Sequence, residues 1–386
     1  MKPNVIKTLY HAPGVRYALA ALLFVLGATC TARAWTTNDT YQCWTGFDNN
    51  FYVTYTQSGH TDAYFSQNQN GTTRNRFWQS AELIEMAVDA DYYAANYYVN
   101  PDMSKYVNEV NALCHGFEDY NGADWSADPF NDDLNWATIA FVRAYQVTRN
   151  TQWLNDAKLN WTNVWNRARM GNPPDALHYG LRQQMVGTNV DSPVNYTFVI
   201  AGYLLYNNTG DPAYKSHADS VWQFSAIPQG HLYDSSSGKV PDSVTGATDY
   251  SYNYGIAIHA AVLEGDMTTC QNMAQHLAFN FGGSSYKTNG LWEGYDVLPN
   301  YGFDGNNGGY NGICLRGVGY ALSRGYLTTS QAAWAMANVD AAFYHRNTST
   351  QLMWDDWQNH TPATGNLSWD CSSALSGMLN IPPQSQ

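Results

Sequence analysis

Residues 131–168 read NDDLNWATIAFVRAYQVTRNTQWLNDAKLNWTNVWNRA, and this stretch decides the fold. Apolar residues recur at helical spacing from Leu134 through Val147. The polar turn Arg149-Asn150-Thr151 interrupts them, and a second helical run follows from Gln152. The first run is nearly all apolar or small, whereas the second alternates apolar and polar faces. That contrast predicts a helical hairpin whose first member is surrounded by protein and whose second lies at the surface.

The same phrase recurs in both directions along the chain. Upstream, RFWQSAELIEMAVDA from Arg76 is followed, after a break at Asn100-Pro101, by MSKYVNEVNALCHGF. Downstream, NYTFVIAGYLLYNNTG from Asn195 turns through Thr-Gly-Asp into PAYKSHADSVWQF, with Pro212 in the first-turn position that suits it. Further pairs run from Tyr252 (YNYGIAIHAAVLEGD into MTTCQNMAQHLAFNF) and from Gly312 (GICLRGVGYALSRG into LTTSQAAWAMANVDAAFYH). A sixth is expected where SWDCSSALSGML near the C-terminus closes against an N-terminal element. Inner helices followed by amphipathic outer ones predict an all-α toroid, with no linker dividing residues 35–386, which read as one domain. The spacers between pairs are long and rich in Gly, Asn, Tyr and Asp, so function is expected where they converge.

Composition narrows the chemistry. With 44% hydrophobic and 13% charged residues among 386, the chain can bury a large core. A net charge of −13 without any lysine- or arginine-rich run leaves no footprint for a nucleic-acid backbone, so no nucleic-acid partner is expected. The 29 tyrosines and 14 tryptophans supply flat faces with polar edges, suited to sugar rings, although most such rings fill cores. At the N-terminus Lys2, Lys7 and Arg16 precede the apolar run from Tyr17, and Ala32-Arg33-Ala34 has the small-x-small form of a signal-peptidase site. Residues 1–34 are therefore expected to be a signal peptide cleaved before Trp35, and the product a secreted monomer without a membrane span. The run is short for a transmembrane helix, and Thr29 before Cys30 does not suit a lipoprotein box. Cys43, Cys114, Cys270, Cys314 and Cys371 then remain, an odd set without CxxC pairs that argues against zinc clusters and a dense disulfide framework.

Asp132 and Asp133 stand at the start of the decisive helix. Taken alone, an Asn-Asp-Asp there is more commonly a cap that satisfies free amides and suits the helix dipole. The alternative is catalytic: glycoside hydrolysis needs one carboxyl to protonate the leaving oxygen and another to attack the anomeric carbon or activate water. Consecutive side chains at a helix start can span the short separation that retaining enzymes use, and so close a pair titrates in coupled steps.

The segment NDDLNWATIAFVRAYQVTRNTQWLNDA resembles the signature helix of glycoside hydrolase family 76, the endo-α-1,6-mannanases: an Asp-Asp pair, then Leu, Trp and a late Ala-Tyr. FWQSAELIEMAVD, NNTGDPAYKSHADSVWQF, YSYNYGIAIHAAVLEGD, GLWEGYD and YNGICLRGVGYAL resemble further family segments, in family order and over most of the chain. The resemblance implies an (α/α)6 barrel and a retaining, cofactor-free hydrolase that cleaves internal α-1,6 bonds of a mannose-rich polysaccharide. It implies Asp132 as nucleophile and Asp133 as acid/base, although adjacency itself gives no chemical reason to choose the order. Tyr252, Asn253 and Asn195 are expected to meet sugar hydroxyls, with Trp78 and Trp136 as stacking walls or core. A mannan transglycosylase of the same fold and a catalytically silent mannan-binding protein are the alternatives. Two departures concern the walls: HYGLRQQMVG from His178 stands where family members often carry a Gly-rich stretch ending in Trp-Trp, and Asn135 replaces a second Trp.

Other motifs are weaker. GFDGNNGGYNG from Gly302 lacks EF-hand spacing and an acid at its end, so it reads as a surface loop rather than a calcium site. The 10 histidines form no HExxH, and neither GxSxG nor a P-loop is present, so no metal site is expected.

Overall fold

In a computed structural model, residues 35–383 are described, except 58, 228–229, 247, 282–289 and 303–304. The expected signal peptide, 1–34, lies outside the described residues, as do Phe303 and Asp304 of the expected loop. The chain forms α1 (Thr37–Phe51), a hairpin of β1 (Tyr52–Gln57) and β2 (His60–Phe65), α2 (Phe77–Tyr97), α3 (Met103–Asn121), α4 (Asn131–Thr148), α5 (Thr151–Ala168) and a short α6 (Ala176–Tyr179). Then come α7 (Ser192–Thr209), α8 (Pro212–Ser225), α9 (Ser251–Glu264), α10 (Met267–Phe279), a small ribbon of β3 (Leu291–Trp292) and β4 (Tyr295–Asp296), α11 (Tyr310–Ser323), α12 (Thr329–Tyr344) and α13 (Ser368–Asn380).

The hairpins turn by a repeated local chemistry. Arg149 ends α4 in the left-handed region at φ 59°, and the Asn150 side chain accepts from the Gln152 amide to start α5. Gly210 does the same for α7 at φ 75°, where Asp211 caps α8 and Pro212 opens it. Gly265 and Asp266 repeat the pattern between α9 and α10. An αL residue followed at once by a capping side chain satisfies the orphaned carbonyls of one helix and the orphaned amides of the next within two residues.

Six helices line the interior. α2 packs on α4, α4 on α7, α7 on α9, α9 on α11, α11 on α13, and α13 returns to α2, so the ring is closed, as an (α/α)6 barrel requires. The C-terminal α13 also packs against α1, the expected sixth pair. Hydrogen bonds between starts of neighbouring inner helices show that these helices run in the same direction. Asn135 of α4 donates to Val194 O of α7 at 3.0 Å, and Ser251 of α9 donates to Asn311 of α11 at 2.7 Å. The closest crossing is between α9 and α11: a methyl at Gly317 would land on the carbonyl of Gly255, so these backbones touch only because both positions lack a side chain.

One turn and more inside the ring, the axis is filled by charge. Arg143 Nη1 and Nη2 meet Glu85 and Asp89 at 2.6 and 2.7 Å, and Arg316 Nε meets Asp89 at 2.7 Å. Arg316 Nη1 also pairs with Glu82, whose carboxyl burial pushes up to about 8 against the pull of that arginine. Burial and the two arginines push His259 down to about 3, which keeps it neutral beside them. The five cysteines from Cys43 to Cys371 are all buried thiols, and no disulfide links them.

Candidate active site

Because the inner helices run in one direction, their N-termini meet at one mouth of the barrel, and their positive dipole ends converge there. Asp132 and Asp133 lie in the first turn of α4, both half-buried. The capping position belongs to Phe130, which has no side-chain cap. Asn131, fully buried, is spent on the strap formed by residues 181–184: its amide N–H donates to Gln183 O at 2.7 Å and its side chain to Arg182 O at 2.8 Å. Asn131 is therefore not the cap that an Asn or Asp at this place suggests: it fastens the helix start, and Asp132 and Asp133 occupy the first turn, where acid suits the helix dipole.

Arg167 braces the approach to the pair. Its guanidinium donates to Asn131 Oδ1 at 2.6 Å and to the carbonyls of Ser126 and Asp128 at 2.8 and 2.9 Å, pinning the loop that enters α4. The HYGLRQQMVG departure lies here. Arg182 and Gln183 act mainly through backbone and self-bracing contacts, with Arg182 donating to Arg167 O, while the amide of Met185 donates to Pro129 O at 2.9 Å. The altered segment therefore forms a wall beside the acids without touching their identity.

Three further carboxylates surround the pair. Asp191, 2% exposed, accepts from Val194 N as the cap of α7. Asp242, on the loop before α9, accepts from Asn253 Nδ2 at 2.9 Å and from Tyr252 Oη at 3.2 Å. Asp128 lies on the loop before α4 and accepts from Phe130 N at 2.8 Å. Burial pushes Asp132 up to about 7, with Asp128 and Asp242 adding to it and first-turn backbone amides opposing. Burial, then the charges of Asp132 and Asp128, push Asp133 well above the carboxylate range. The helix-end amides thus favour the anion on Asp132, and that anion in turn holds the proton on Asp133.

The expected sugar contacts divide. Tyr252 and Asn253 come together with the acids through Asp242, and Asn253 Oδ1 is buried without a protein hydrogen-bond partner. Tyr252 stacks obliquely on Tyr310 at 4.3 Å, which continues through Trp78 (6.3 Å) to Trp369, edge-on to Trp78 at 4.8 Å. Trp78 is half-buried in this aromatic rim, whereas Trp136 is 4% exposed and belongs to the core. Asn195 does not face the mouth. It is fully buried and staples α7 to the strap, donating to Leu181 O at 3.0 Å and Asp191 O at 2.8 Å and accepting from Leu181 N. The expectation that it meets sugar is corrected: both ends of its amide are consumed by backbone. Asp191 was detectable in sequence as a cap before Ser192-Pro193, but nothing in the polar run around Asp242 distinguishes that residue. Among the described residues no group of three or more His, Cys, Asp or Glu is arranged to hold a metal ion.

The chain was compared with known proteins. No curated protein sequence matches it. Among solved structures, the GH76A alpha-1,6-mannanase from Salegentibacter sp. HEL1_6 superposes with a TM-score of 0.71 at 20% identity, covering 89% of this chain and 98% of that one. An inactive variant of that enzyme, with two consecutive aspartates replaced by alanine, has been solved in complex with alpha-1,6-mannotetrose (TM-score 0.72, 19% identity, 89% and 98% covered). A glycoside hydrolase family 76 mannosidase, Bt3792 from Bacteroides thetaiotaomicron VPI-5482, matches with a TM-score of 0.68 at 16% identity, covering 89% and 96%. The sequence profile of Glycosyl hydrolase family 76 matches residues 46–272, which contain the acid pair, both strap anchors and the Tyr252-Asn253 start of α9. The ring of six inner helices and this profile agree, and the chain belongs to glycosyl hydrolase family 76.

Proposed function

We propose that the protein is a secreted retaining endo-α-1,6-mannanase in which Asp132 is the nucleophile and Asp133 the acid/base. The observation that carries this reading is the setting of the pair: two adjacent, half-buried acids in the first turn of inner helix α4, at the mouth of a family 76 barrel and beside the Asp242–Asn253–Tyr252 group, with burial raising both and the charge of Asp132 adding to the rise of Asp133. In the first step an Asp132 oxygen bonds to the anomeric carbon as the glycosidic bond breaks, and Asp133 gives its proton to the departing oxygen. In the second step Asp133 takes a proton from water, whose oxygen displaces Asp132 and regenerates the starting state. The partly buried Trp78 and Tyr310, backed by the buried Trp369 and Tyr252, supply aromatic surface at the mouth, in keeping with a neutral sugar chain.

The stereochemical outcome tests the mechanism. Early products from α-1,6-mannotetraose, followed by proton NMR, are expected to appear as the α-anomer. Initial release of the β-anomer would contradict it. Products longer than the substrate would favour the transglycosylase reading.

A further inference from the structure

A second group of polar side chains lies on the outer wall, sharing no residue with the acid pair. α1, the β1–β2 hairpin, α3 and the turn into α5 border an open surface cavity of about 770 Å³. Behind it, Gly116 of α3 lies directly against the backbone of Ala63 on β2, where a methyl group would not fit. Glu109 lines the cavity at 5% exposure, and its Oε1 has no hydrogen-bond partner in the protein. Asp48, also in the lining, likewise has a buried Oδ1 without one, and its other oxygen meets Lys105 Nζ at 3.5 Å.

We propose that this cavity is an outer-wall carbohydrate-binding site that holds the same mannose-rich polysaccharide away from the catalytic mouth. The inference rests on the functional reading above for the identity of the glycan. Its chemistry is that of vicinal hydroxyls, each able to donate and accept at once. Buried carboxyl oxygens of Asp48 and Glu109 offer acceptors, Lys105 a donor, and the exposed Asn108 an amide that does both. Burial and Asp48 push Glu109 well above the carboxylate range, which gives its carboxyl a proton to donate as well. His60 and His115 stack at 4.6 Å with 13° between their planes, and the exposed His60 presents a flat face at the rim.

Other occupants fit less well. Lys105 beside Asp48 opposes a bare metal cation, and among the described residues no group of three or more His, Cys, Asp or Glu is arranged to hold one. A chain net charge of −13 opposes a polyanion.

The full chain is applied to immobilised linear α-1,6-mannan, and its hydrolysis of α-1,6-mannotetraose is measured alongside. His60→Ala with Asn108→Ala removes two exposed side chains, and Glu109→Gln keeps the buried shape while removing the acid. Each set of substitutions is also placed in an Asp132→Asn, Asp133→Asn background. Retention is expected to weaken at least fivefold in both wall variants, in either background, with the tetraose rate unchanged where Asp132 and Asp133 are intact. Unchanged retention in the His60/Asn108 variant, or no retention of the parent protein, would overturn the proposal. Failure of the parent to cleave the tetraose would instead count against the catalytic reading, because retention is read independently of turnover.

Discussion

The side-chain amide of Asn253, fully buried in the first turn of α9, donates to Asp242 Oδ1 at 2.9 Å. That bond links an inner helix to a loop whose backbone is tied to the neighbouring pair, since the Ser192 amide donates to Asp242 O at 2.8 Å. Asp242 is thereby held where its charge reaches Asp132. Asn253→Ala is expected to cost about 1.5–3 kcal/mol, the range for a hydrogen bond to a charged group, and to lower kcat/KM at least tenfold. Denaturant melts and tetraose kinetics measure the two effects, and a stability loss with unchanged kcat/KM would detach Asp242 from the site.

The acids should be a burden on the fold. Both are raised above their unfolded values, so between about pH 4 and the folded pKa the native state binds more protons than the unfolded one, and stability falls as pH rises. An Asp132→Asn, Asp133→Asn variant escapes this. Its thermal stability is expected to match the parent near pH 4 and to exceed it increasingly as pH rises to 7. A variant less stable at pH 7 would refute the assignment of these shifts.

The same shifts set the pH dependence of turnover. kcat/KM is expected to rise as Asp132 loses its proton near pH 7 and to fall at higher pH as Asp133 loses its own. With a 4-nitrophenyl leaving group, which needs no protonation, Asp133→Asn should still release a burst of nitrophenol and lose the alkaline limb, whereas Asp132→Asn should give no burst. The opposite pattern would exchange the two roles.

Ring closure depends on the bare backbone between α9 and α11. Gly317→Ala would drive a methyl into the carbonyl of Gly255, an obstacle that cannot rotate away. The expected cost is about 1–3 kcal/mol or more, read from urea unfolding. A neutral result would mean the helices separate freely.

The helical pairs were legible because their turns use strong local signals: Asn150, Gly210-Asp211-Pro212 and Gly265-Asp266 fall at the helix ends that those residues predict. The β1–β2 hairpin carries only a weak signal: Tyr52–Gln57 and His60–Phe65 contain three Tyr and three Thr, but the strands are short and mostly polar, without a clean apolar alternation. At the site, the acid pair was visible as a motif. Asp242 was not, because its importance arises from Asn253 and Tyr252, which lie across a loop and have no fixed sequence offset from it. Asn195 was misread for the converse reason: its place at an inner-helix start is the one expected of a sugar contact, but the strap at Leu181 takes up its amide. Polar residues at the same register can face the mouth or the wall, and only the packing of the neighbouring loop decides which.

The most direct measurement is product chromatography of linear α-1,6-mannan incubated with the parent protein, Asp132→Asn and Asp133→Asn. The account predicts short α-1,6-mannooligosaccharides from the parent and a loss of about 10²–10⁴-fold or more in each single variant. Full activity in either variant, or an intact polymer after incubation with the parent, would contradict it.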